Sequence, residues 1–248
     1  MSAASLRTAR RRFWIAHAWA PLAAGLALLG AFELSNLDLR WSDRFFRPEL
    51  GGWYLKRAWW AEDLLHRGGR AAVIALALAC LAVAVRPGAR LRAWRRPALY
   101  VVVTLAACGA LVGALKAVSP RPCPWDVDRY GGRLAHLGLF DPAPPGARSG
   151  RCFPSAHASV GFSLFALYFA LRDRAPRAAV GGLGAALVTG SAFGFAQVAR
   201  GAHFASHNLA SALLCWSVAL ALYEWLLAGA VSTVEAVTSA GGEGGSPT

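Results

Sequence analysis

The sequence predicts an all-α membrane protein, a bundle of six transmembrane helices with an interfacial outer segment, and three observations carry that reading. Of 248 residues, 56% are hydrophobic and only 16% charged, against roughly 25% charged in soluble domains, and mean hydropathy is +0.40. The apolar residues gather into six runs, 14–34, 71–85, 98–118, 155–171, 179–199 and 209–231, near the roughly 20 residues that span a bilayer. The formal charge of +13 is almost wholly arginine, Lys56 and Lys116 being the only lysines. These arginines lie between the apolar runs, which argues for membrane topology and against nucleic-acid binding. The composition also excludes disorder and an ordinary soluble enzyme.

Each run is apolar all round, as a lipid-facing helix should be. The first is preceded by Arg7, Arg10, Arg11 and Arg12 without an acid. It is longer than the apolar core of a signal peptide and has no small-residue cleavage site, so it is expected to stay as an anchor. Residues 35–70 mix Trp41, Phe45, Phe46, Trp53, Tyr54, Trp59 and Trp60 with charges, a composition suited to the membrane interface. The second run is short and lengthens if Gly68 and Gly69 begin it. The second and third runs are joined by Arg86, Arg90, Arg92, Arg95 and Arg96, again without an acid, and the fourth and fifth by Arg172, Arg174 and Arg177 against Asp173. The positive-inside rule places these three arginine clusters, and both termini, in the cytoplasm. Residues 119–153, rich in Pro and Gly, form an ordered loop or a flexible lid on the outer side. No internal repeat is visible. One membrane domain is expected over 1–232, with a small, polar, disordered tail over 233–248.

Cys80, Cys108 and Cys215 fall within apolar runs and read as small buried hydrophobes. Cys123 and Cys152 stand at the two ends of one outer loop. An oxidising compartment permits a bridge between them, worth roughly 3 kcal/mol; the alternative is two free thiols.

Polar residues at membrane helix ends are costly without a task, and three such clusters occur. They are Lys116 to Asp126 leaving the third run, Cys152 to His157 entering the fourth, and Gln197 to His207 between the fifth and sixth. The topology puts all three on the outer face. Lys116 and Arg200 supply positive charge for phosphate oxygens. Pro154 and Ser155 open a helix whose free N–H groups favour an anion. Of two histidines, one can attack phosphorus while the other protonates the leaving oxygen. If 200–207 is helical, Arg200, His203 and His207 share a face.

In these motifs the sequence resembles the type 2 phosphatidic acid phosphatase superfamily of membrane lipid phosphatases, over about residues 98–225. That family carries K-x6-R-P, P-S-G-H and S-R-x5-H-x3-D. Lys116 matches the first lysine; Pro154, Ser155 and His157 match the second motif with Ala156 for glycine; His203 matches the third-motif histidine. The sequence departs from the family where Cys123 and Gln197 occupy the two arginine positions and His207 that of the aspartate, while Arg121 and Arg200 stand nearby.

The resemblance implies His203 as the nucleophile forming a phosphohistidine and His157 as the general acid. Lys116, Arg200, Ser155, Ala156 and, as a further candidate, Arg121 would hold the phosphate, with no metal and no cofactor. His207 would orient His203 as a neutral acceptor, unless Asp126 or Asp128 supplies a carboxylate. The expected function is hydrolysis of a lipid phosphomonoester or diphosphate at the periplasmic face of a bacterial inner membrane. The substrate is lipid A, undecaprenyl diphosphate or a glycerophospholipid phosphate. The alternatives are a phosphotransferase acting on lipid A and a non-catalytic binder of lipid phosphates. A zinc site on His203 and His207 lacks the Glu base of a zinc protease, and Ser155 has no Gly-x-Ser-x-Gly context. His17, His66 and His136 show no partner in the sequence, and Glu224 is expected to be structural or paired with a cytoplasmic arginine.

Overall fold

A computed structural model describes residues 3–145 and 150–228; the segment 233–248, expected to be disordered, lies outside them. In chain order the helices are α1 (Ala4–Ser35), α2 (Leu37–Asp43), α3 (Trp60–Val85), α4 (Ala89–Val118), α5 (Ala156–Phe162), α6 (Phe165–Leu171), α7 (Pro176–Ala199) and α8 (Ala205–Ala228). Five of these, α1, α3, α4, α7 and α8, are long and apolar enough to cross a membrane. A two-stranded antiparallel hairpin, β1 (Phe46–Arg47) and β2 (Gly52–Trp53), joins α2 to α3.

The fourth apolar run does not give a sixth helix of spanning length. It breaks at Ser163 and Leu164, where the Ser163 hydroxyl donates to the Val160 carbonyl (2.8 Å) and the backbone tightens to Leu164 N–H to Gly161 O (3.2 Å). A serine that bonds its own backbone competes with the helical ladder. This run is apolar all round for a different reason from the others. Ala158, Phe162, Phe165, Ala166, Phe169 and Ala170 are buried by protein, whereas α1 and α3 leave Leu26, Leu28, Leu34, Ile74, Leu78 and Leu81 exposed, as lipid-facing helices do. The α5–α6 pair forms the centre of the bundle, packed on α4, α7 and α8. Small residues let α5 approach α7: a Cβ on Gly161 would lie 2.6 Å from Gly190 Cα.

The third helix starts earlier than hydropathy alone indicates, at Trp60, so the interfacial segment is shorter than 35–70. Arg67 pairs with Asp63 (3.1 Å) and Glu62 (3.5 Å) one turn away, which makes the charged first turns compatible with a helix. Above the bundle, Trp53, Val127, Tyr130 and Phe204 form a second small core with Phe46 and Trp125 packed on it. At the opposite end, His17 stacks between Tyr168 and Trp216, and the Trp216 indole N–H donates to its carbonyl (2.6 Å). His17 is therefore a packing residue. Glu224 lies 4.0 Å from Arg10, the arginine pairing expected from the sequence.

Candidate active site

The three polar clusters meet at one end of the bundle around a cavity of about 540 Å³. Lys116 projects from the last turn of α4, Ala156 and His157 from the first turn of α5, and His203 from the link between α7 and α8. That link is not helical, so Arg200, His203 and His207 do not share a helix face. Gly201, at φ 75°, ends α7. The Ala202 N–H bonds the Gln197 carbonyl (2.8 Å) and the Gly201 N–H that of Val198 (3.0 Å), a glycine C-cap that only a residue without Cβ adopts freely. The Trp53 ring lies where a Gly201 side chain would stand. This second small core thus holds the loop that carries His203.

His203 is buried, and its Nδ1 lies 3.5 Å from both Cys152 Sγ and His207 Nδ1. His207 Nδ1 lies closer, 3.1 Å, to the Cys152 carbonyl. A carbonyl only accepts, so this contact assigns the Nδ1 proton of neutral His207 to Cys152. His207 is then not the acceptor for His203; the same Cys152 carbonyl faces His203 as well. With Nδ1 on this side, Nε2 is the nitrogen left for the cavity. Burial, then the neighbouring His207 and the Lys116 ammonium, hold the pKa of His203 well below the ordinary histidine value, so the ring is uncharged at neutral pH. Cys152 owes its place to its disulfide with Cys123, whose Cα lies 5.1 Å away. Cys152, His203 and His207 are the one group among the described residues whose potential ligand atoms lie within 4.8 Å of one another. With its sulfur bonded to Cys123, Cys152 offers a metal no thiolate.

His157 is 7% exposed, and its Nε2 has no hydrogen-bond partner among the described residues. Its ring stacks on Phe193 (4.8 Å between centroids) and on His66 (4.1 Å). His66, Arg70 and Gln197 also line the cavity. The sequence offered no partner for His66 and no role for Arg70. Both belong to α3, which carries none of the three clusters, and the one available signal was their position at the start of an apolar run.

Other expected ligands lie elsewhere. Ser155 is fully buried as the N-cap of α5, its Oγ accepting the Ala158 N–H (3.4 Å), and does not line the cavity. Arg121 points into the loop between α4 and α5, donating to the carbonyls of Gly138 (3.1 Å), Leu139 (2.8 Å) and Asp141 (2.7 Å). Arg200 donates to the Lys56 carbonyl (3.0 Å) and lies 3.7 Å from Glu62. His207 is buried behind His203 and borders a second, polar cavity with His136 and Asp38. Asp126 and Asp128 are used locally, by the Trp125 indole and the Arg129 N–H. The carboxylate nearest the start of α8 is instead that of Asp38, which accepts both the N–H and the hydroxyl of Ser206.

No curated protein and no solved structure matches the chain. A family model for the PAP2 superfamily matches residues 97–229, more than half of the chain, and spans every residue of the three clusters. The chain belongs to the PAP2 superfamily.

Proposed function

We propose that the protein hydrolyses a lipid phosphomonoester or diphosphate through a phosphohistidine on His203, at the outer face of a bacterial inner membrane. Membership of the superfamily already implies phosphatase-type chemistry on phosphate esters. The observation that carries the finer reading is the character of the cavity. Among the described residues its wall holds Lys116, Arg70, His66, His157 and His203 and no carboxylate, and it continues into the apolar Val73, Ile74, Ala77 and Leu105 of α3 and α4. A site with positive charge at one end and a hydrocarbon wall at the other suits an anionic headgroup on a lipid chain. The arginine clusters lie at the opposite ends of the helices, and a disulfide beside the site suits an oxidising compartment.

In the first step the His203 Nε2 lone pair attacks phosphorus and the bond to the lipid oxygen breaks. His203 keeps its Nδ1 proton toward Cys152, and His157 gives a proton to the departing oxygen. A bound phosphate dianion favours the protonated form of His157 that this step needs. Water then attacks the phosphohistidine, its proton passing to His157, and the P–N bond breaks to release phosphate. Lys116 offsets charge on the phosphoryl oxygens in both transition states.

The test is release of inorganic phosphate by purified protein, in EDTA, from phosphatidate, undecaprenyl diphosphate and lipid A. His203→Ala is compared beside it, with acid-labile labelling of the protein followed in parallel. Release and labelling that both vanish in His203→Ala are expected. Full activity in that variant would overturn the assignment of the nucleophile. Label arriving on a lipid acceptor instead of in free phosphate would identify a transferase.

A further inference from the structure

The positions that the family's motifs reserve for arginine hold Cys123 and Gln197, and the two arginines beside them are engaged elsewhere. Arg121 is held by three loop carbonyls, and Arg200 by Lys56 and Glu62. A guanidinium offers a phosphoryl group in transfer two parallel donors in one plane, which the point charge of Lys116 does not. Arg70 lies in the cavity wall, and its guanidinium makes no hydrogen bond or ion pair with any described residue. Its charge acts on both His66 and His157, as does that of Arg200, whose guanidinium is itself bonded to Lys56 and paired with Glu62. His66 stands one turn before Arg70 on α3. Gln197, in the place of the family's arginine, brings its Nε2 to 3.4 Å from His66 Nδ1. An amide N–H donates to that nitrogen, so the proton of neutral His66 sits on Nε2, where it can be donated to an anion.

Resting on the phosphatase reading above, we infer that α3 supplies the missing phosphate clamp. Arg70 is the guanidinium that grips the phosphoryl oxygens, and His66, its tautomer set by Gln197, is a second donor beside His157. The arginine function of this site has moved from the motif segments to a helix outside them. Gln197 is the counterpart of that move: an arginine there would add a further cation to Arg70 and Arg200 beside His66.

The experiment uses the full chain in detergent with two readouts, hydrolysis of dioctanoyl phosphatidate and binding of orthovanadate measured by calorimetry. Arg70→Ala is expected to lower kcat/KM and weaken orthovanadate binding, each about 10- to 100-fold, as for loss of a charge-assisted pair of hydrogen bonds. Arg70→Lys should recover only part of this. His66→Phe keeps the stack on His157 but loses the donor, and about a 10-fold loss in both readouts is expected. Arg67→Ala, whose guanidinium faces Glu62 and Asp63, is the control for surface charge. Arg70→Ala within twofold of the wild type in both readouts overturns the inference, as does a wild type that binds no orthovanadate. A wild type that binds orthovanadate through Arg70 yet releases no phosphate overturns the hydrolase reading and leaves the clamp standing.

Discussion

Removing the Cys123–Cys152 bridge tests how the site is held. The bridge closes a sequence separation of 29 residues, from the exit of α4 to the start of α5. Chain-entropy reasoning for a loop of that size gives about 3.6 kcal/mol of stabilisation through the unfolded state. At about 2–4 °C per kcal/mol for a chain of this size, the thermal midpoint of Cys123→Ser/Cys152→Ser should fall by roughly 7–14 °C. The second effect is local. The Cys152 carbonyl accepts a hydrogen bond from His207 Nδ1 (3.1 Å) and faces His203, and Cys152 Sγ lies 3.5 Å from His203 Nδ1. Freed of Cys123, this residue no longer fixes the ring whose Nε2 must face phosphorus, and a small misplacement of a reacting group costs orders of magnitude in rate. Phosphate release by the double variant should fall at least about 10-fold below the melting range. The assay pairs thermal unfolding with phosphate release, with and without a membrane-permeant reductant. An unchanged midpoint together with unchanged turnover would show that the bridge neither stabilises the fold nor positions His203.

Three further outcomes are expected. Because burial lowers the pKa of His203, its ring stays uncharged as the pH falls through the ordinary value near 6.5. The acid limb of kcat/KM assigned to it should therefore lie below that value, and a limb at or above 6.5 that vanishes in no other histidine variant would count against it. Gly201→Ala must adopt φ near 75° against the Trp53 ring; about 1–2 kcal/mol of strain should appear as a lower midpoint, with a larger loss of turnover than of folding. Asp43 accepts from Arg129 at 2.9 and 2.8 Å and from Tyr130 at 2.9 Å, and Arg129 holds its carboxyl below the usual range. A depressed carboxylate stabilises above its unfolded pKa near 3.9, and that stability is lost as the pH falls through the folded value. Since the pair is half exposed, Asp43→Asn should cost less than about 1 kcal/mol, read as a midpoint difference at pH 7 that narrows toward pH 3.

Hydropathy and charge spacing determined most of the architecture, because the bilayer demands apolar runs of fixed length and arginine marks the ends of those runs. The positions of Lys116, His157 and His203 were legible for a related reason: costly polar residues at the ends of apolar helices stand out in one dimension. What the apolar count left open was which runs face lipid. Residues 155–171 look like a spanning helix, yet protein covers them, and only packing against α4, α7 and α8 distinguishes burial in protein from burial in lipid. Side-chain direction was equally hidden. Arg121 and Arg200 have the charge to hold a phosphate, but the loop carbonyls and Glu62 take them, and a left-handed glycine at 201 removes the helical face that would have aligned Arg200 with His203. His66 and Arg70 could not be found from motif spacing, since they belong to α3, which lies outside all three clusters and reaches His157 and Gln197 only through the fold. Charge and apolar length are properties of a segment and can be read along it; the partner of a given donor is a property of the folded bundle, decided by which helix packs across the cavity.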